Sequence, residues 1–145
     1  MRQPLVIATL LLLIACDGSD RPPGTPTPPP FATGTWQGPY TSDSGLVAGS
    51  VRLVLTHASN GQITGMATLT VPGTALPSGN VTGGVQPGAT PPVDVGLAIT
   101  VAGACPATLS APSRFTSTTA LEGKIAGGNP QCGLDVSGGF VLQKQ

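Results

Sequence analysis

The sequence predicts an all-β fold, an eight-stranded antiparallel up-and-down barrel, on three observations. Eight short segments alternate apolar and polar residues with period 2, each bounded by turn residues. None of them keeps a 3.6-residue repeat over the roughly ten positions that a helix needs. Cys105 and Cys132 fall in two connections that a meander of this strand count brings to the same end. A β-sandwich is the alternative architecture.

The segments lie near 34–41, 49–58, 62–71, 79–86, 93–102, 107–116, 119–126 and 134–144. The second turns Val51, Leu53 and Leu55 inward and Arg52 and Thr56 outward. Ser59-Asn60-Gly61 supplies a tight connection to the third, where Ile63, Ala67, Leu69 and Val71 share one face and Met66 is an apolar residue on the other. The fifth is the clearest: Val93, Val95, Leu97, Ile99 and Val101 oppose Asp94, Gly96, Ala98 and Thr100. In the seventh, Leu121 and Ile125 oppose Glu122 and Lys124. In the last, Leu134, Val136, Phe140 and Leu142 oppose Asp135, Ser137 and Gln143. Short turns joining strands with one apolar face each are most economically closed into a barrel. The charged outer face, with only five aromatic residues in the chain, excludes a membrane-spanning barrel, which needs an apolar outer band and aromatic girdles.

Ahead of these strands the chain has a different composition. Arg2 precedes an apolar run, Leu5 to Ile14, of signal-peptide length and too short to cross a bilayer as a helix. The run ends in Leu13-Ile14-Ala15-Cys16, which resembles the lipobox of bacterial lipoproteins. The resemblance implies a diacylglyceryl group on the Cys16 thiol, cleavage before Cys16, acylation of the new amino terminus with a fatty acid such as palmitate, and a domain held at a cell-envelope membrane; which membrane is left open. Residues 17–32 hold six Pro and one bulky apolar residue, Phe31, the composition of an extended spacer of about 50 Å rather than of a packed element. A PxxP ligand is the alternative reading of that stretch. The chain therefore divides into a signal peptide, 1–15, a lipidated Cys and Pro-rich tether, 16–32, and a barrel domain, 33–145.

Two further features bear on the barrel. Gly34-Thr35-Trp36 resembles the G-x-W opening of calycin-type barrels, the lipocalins, avidins and small bacterial relatives, and the resemblance implies that Trp36 packs across the closed end. The Arg that covers this Trp in lipocalins has no match; Lys144 is the nearest basic residue. With Cys16 assigned to lipid, Cys105 and Cys132 remain as an even pair in an exported chain, which predicts a disulfide. Free or redox-active thiols are the alternative, without a CxxC to support it.

The chemistry that the residues exclude is broader than what they specify. Six Lys and Arg against six Asp and Glu leave no net charge, which removes the basic footprint of a nucleic-acid binder. His57 is the sole histidine and stands at a strand end without a metal-ligand spacing. No nucleophile elbow, paired carboxylates or phosphate-binding glycine loop precedes a helix. The expectation is thus no enzyme, no metal and no cofactor. The candidate ligand-cavity lining is Trp36, Tyr40, Leu53, Leu55, Leu69, Leu97, Ile99, Phe115 and Phe140, with Tyr40 and Ser113 as its polar groups. The expected function is a membrane-anchored accessory or interaction module with an envelope protein partner. The alternatives are a carrier of a small apolar ligand inside the barrel, and a barrel-type protease inhibitor acting through its N-terminal segment.

Overall fold

A computed structural model describes residues 30–72, 74–75 and 78–145. The signal peptide, the lipobox with Cys16 and the tether up to residue 29 lie outside the described residues. The strands are β1 (Gly34–Ser42), β2 (Ala48–His57), β3 (Gln62–Val71), the two-residue β4 (Thr74–Ala75), β5 (Gly79–Gly84), β6 (Val93–Val101), β7 (Ala107–Phe115), β8 (Ala120–Asn129) and β9 (Leu134–Lys144). A single 3-10 turn, Pro130–Cys132, precedes β9.

Each long strand pairs antiparallel with the next, and β9 returns to pair with β1 through Trp36↔Lys144 and Tyr40↔Phe140. The eight long strands therefore close into an up-and-down barrel, and β4 is a short flap on the end of β3. Closure leaves none of the eight long strands as a sheet edge. The period-2 pattern is obeyed almost without exception: β7 alternates buried and exposed along its whole length, and Val51, Leu53 and Leu55 of β2 are buried while Arg52 and Thr56 are exposed. Met66 is exposed as its parity requires and stands opposite the exposed Val54.

Strand bounds follow the sequence reading closely, with two informative departures. β8 runs on to Asn129, through Gly127 and Gly128, which stay in register with Val136 and Asp135. Their Gly-Gly composition reads as loop, yet glycine tolerates the positive φ of +131° at Gly127 that keeps the strand coiling within the ladder. β5 stops at Gly84, because Val85 instead donates to the carbonyl of Gly61 in the β2–β3 turn. That turn has the expected form: Gly61 has φ +87° and donates to Ala58, and the Asn60 side chain accepts from Gln62. A Cβ at Gly61 would collide with the carbonyl oxygen of Val85.

The meander fixes which connections share an end. Connections β1–β2, β3–β5, β6–β7 and β8–β9 lie at one end, termed the mouth, and the others lie at the end where the chain enters β1. Cys105 and Cys132 are both at the mouth and stand at disulfide distance, with Cα atoms 5.9 Å apart. On the outer wall Asp94, Arg114 and Glu122 alternate in sign across β6, β7 and β8. The Arg114–Asp94 pair is exposed at 3.9 Å and adds little stability.

The cross-link closes 27 residues. Cys105→Ala with Cys132→Ala is expected to lower unfolding free energy by about 3 kcal/mol on the chain-entropy argument. The check is urea denaturation of both forms, with hydrogen exchange increasing at the mouth connections rather than around Trp36.

Candidate functional site

The two ends of the barrel are built differently, and the difference begins with Phe31 and Ala32. Composition leaves both with the tether, but both are buried in the core. The barrel domain thus begins at least two residues before Thr33. A lone aromatic residue at the end of a Pro-rich stretch has no periodic neighbours, so pattern alone cannot place it. The Phe31 ring meets His57 and Phe115 edge-on, each at 5.0 Å between centroids, and Phe115 meets Trp36 at 5.3 Å. Such edge-to-face contacts add to the area that the rings bury.

The same two residues bring backbone carbonyls into the plug, where they need donors. Trp36 Nε1 donates to the carbonyl of Ala32 at 2.8 Å, and Lys144 Nζ donates to the carbonyl of Phe31 at 2.9 Å. Lys144 Nζ also lies 5.6 Å from the centre of the Trp36 ring, within cation–π range. Lys144 therefore lies over the Trp36 ring from the end of β9. Trp36 is fully buried at this closed end.

His57 belongs to the plug. Its backbone N–H donates to Thr33 Oγ1 at 2.9 Å, and its Nδ1 is buried without a hydrogen-bond partner among the described residues. Burial pushes the imidazole below its ordinary 6.5. Among the described residues no three His, Cys, Asp or Glu converge as a metal site would require.

The interior between the ends is lined by core side chains. Leu53, Leu55, Leu97, Ile99, Phe115 and Phe140 are all buried, and a recess between Val51, Leu69, Ile99 and Ile125 holds about 20 Å³. Ser113, the polar residue of the core, donates to the Ala111 carbonyl at 2.8 Å and is satisfied locally.

The mouth is open. A cup of about 400 Å³ is bounded by Tyr40, Leu69, Val71, Leu134 and Val136, with Asp43, Asp135 and Ser137 at its rim. Of the nine residues that the sequence nominates as cavity lining, Tyr40 and Leu69 reach this cup; the other seven do not line it. Sequence reasoning missed the rim carboxylates as a pair. The signal was present: Asp43 follows β1 and Asp135 opens β9, and ring closure makes those two strands neighbours at the mouth. Asp43 is tied to β9 twice, by its backbone N–H to the Ser137 carbonyl at 2.9 Å and by acceptance from the Ser137 hydroxyl. Tyr40 lies flat enough against β9 that a Cβ at Gly138 would sit 2.6 Å from its ring. Its phenol is raised above the ordinary 10.0 by burial first, then by the charges of Asp43 and Asp135, against the opposing pull of the Ser137 amide.

Fold and site define a closed, eight-stranded antiparallel β-barrel, consistent with a calycin-like barrel, plugged at one end and cupped at the other. No family model, curated protein or solved structure matches the chain. No helix among the described residues is long and apolar enough to cross a membrane.

Two outcomes test the plug. Phe31→Ala is expected to cost about 3 kcal/mol or more in urea denaturation, as for other buried Phe truncations; a loss below about 1 kcal/mol would return Phe31 to the tether. His57 has its folded pKa below its unfolded value, so the unfolded chain takes up the proton first. Stability is full above pH 6.5 and falls as pH drops through the window below it. Thermal melts between about pH 7 and 5 are expected to show this slope, above the carboxylate range near 4, and His57→Phe is expected to flatten it.

Proposed function

We propose that the chain is a membrane-anchored bacterial lipoprotein whose barrel is a non-catalytic interaction module of the cell envelope, with its binding seat at the mouth. The observation that carries the reading is the opposition of the two ends. The described chain enters at the plug, through Phe31 and Ala32, while the cup bounded by Tyr40 and Val136 lies at the other end. A chain tethered through Cys16 would then present its mouth away from the bilayer. The residues between Cys16 and Phe31 reach about 40 Å if extended as polyproline II, enough to clear lipid headgroups.

Support for the anchor is the lipobox sequence itself, Leu13-Ile14-Ala15-Cys16 behind an apolar run. One acyl chain binds a membrane reversibly and two or three bind it stably, so acylation at Cys16 would suffice without a spanning segment. The carrier reading has its best support at the mouth, where the cup is far larger than the recess of about 20 Å³ between Val51, Leu69, Ile99 and Ile125. The inhibitor reading is left with less to work with: Phe31, the bulky residue of the N-terminal segment, is already used in the chain's own core.

The anchor is tested by metabolic labelling with palmitate in a bacterial host. The wild-type chain is expected to take up label and fractionate with membranes, and Cys16→Ser to lose both. Label retained by Cys16→Ser would overturn the lipoprotein reading.

A further inference from the structure

We propose that the mouth cup binds a small amphipathic organic cation, a protonated primary amine carried on a short apolar body. The inference rests on the reading of the barrel as a binding module and adds the chemistry of its ligand.

The size and shape of the cup set the first constraint. About 400 Å³ falls within the range of small-molecule sites. Below it the recess between Val51, Leu69, Ile99 and Ile125 holds only about 20 Å³, which favours a ligand with a short apolar part. Leu69, Val71, Leu134 and Val136 give that part an apolar seat.

Charge sets the second constraint. The rim holds Asp43 and Asp135, and neither forms a salt bridge with another described residue. The four mouth connections, 43–47, 72–78, 102–106 and 130–133, contain no Lys or Arg, so nothing cationic in the chain neutralises this rim from its own loops. An anion is disfavoured there, and a cation is drawn in. Asp43 is held in place by Ser137 rather than left to swing in solvent, which reduces the ordering needed on binding. A bare divalent metal fits poorly, since no third acidic or imidazole ligand converges and the seat beneath is apolar.

Tyr40 adds a polar group to the cup. It is 4% exposed, it lines the cup, and its phenol oxygen accepts from the Ser137 amide. The two carboxylates favour its neutral form, whose oxygen can still accept from an ammonium N–H.

The test is an NMR titration of the exported chain carrying Cys16→Ser with hexylammonium, 1-hexanol and hexanoate, which share an apolar body and differ in charge. Hexylammonium is expected to shift the amides of residues 40–43 and 134–137 and to bind about tenfold more tightly than hexanol, the advantage that two exposed ion pairs supply. Hexanoate is expected to bind more weakly than either. Raising NaCl to about 0.5 M is expected to erase most of the advantage. Asp43→Asn with Asp135→Asn should bring hexylammonium down to the level of hexanol; should that variant fail to fold, Asp135→Asn alone should lose about threefold. Equal binding of hexylammonium and hexanol, or preference for hexanoate, would overturn the cation inference while leaving a binding seat at the mouth. No shift at the mouth with any of the three would overturn the inference and the seat together.

Discussion

Two carbonyl groups at the base of the barrel, those of Phe31 and Ala32, impose the constraint on which the rest of the molecule depends. Bringing an aromatic plug under an eight-stranded ring drags backbone with it, and buried backbone without donors costs on the order of 1–3 kcal/mol per group. The chain answers with donors from opposite ends of the fold: Trp36 near the start of β1 and Lys144 at the end of β9. Those two residues are also cross-strand partners in the pair that closes the ring. Plugging and closure therefore rest on the same two residues. The plug orders the first and last strands against each other, and the closed ring supplies the pocket that the Phe31 ring fills.

This coupling explains why so charge-poor and glycine-rich a chain can fold. Only 8% of its residues are charged and 21 are Gly, a composition that taken alone suggests low complexity. Many of the glycines sit where a Cβ has no room. At Gly123 it would lie within 3 Å of the Ser113 hydroxyl, the Pro112 carbonyl and the Phe140 ring. A narrow barrel forces its strands to coil tightly and its large side chains to lie over neighbouring backbone, and glycine is the residue that permits both. The small interior that results is packed by aliphatic and aromatic groups.

The fold was legible in the sequence because its information is local. Period-2 alternation names the inward face of each strand without reference to any partner, and strand count alone puts Cys105 and Cys132 at one end. The site was less legible because it depends on closure. Nothing between residues 43 and 135 announces that Asp43 and Asp135 are neighbours; they become so only when β9 pairs with β1. Phe31 was hidden for the opposite reason. It is local to a segment whose proline content speaks for a spacer, and its burial depends on Phe115 and His57, remote in sequence.

The same closure gives the ends unequal chemistry. At the plug, a lysine and three aromatic rings are consumed in holding the chain's own N-terminal residues. At the mouth, two carboxylates and a buried phenol are left facing a cup. Electrostatic matching across the barrel is impossible at that length, because screening at physiological salt confines exposed charges to about 8 Å. Lys144 thus cannot neutralise the rim from the far end, Arg114 faces Asp94 on the outer wall, and neither Arg52 nor Lys124 forms a salt bridge with Asp43 or Asp135. A domain that is neutral as a whole therefore carries an uncompensated negative edge at one end. That local imbalance, set over an apolar floor, is where a partner of complementary charge has the most to gain.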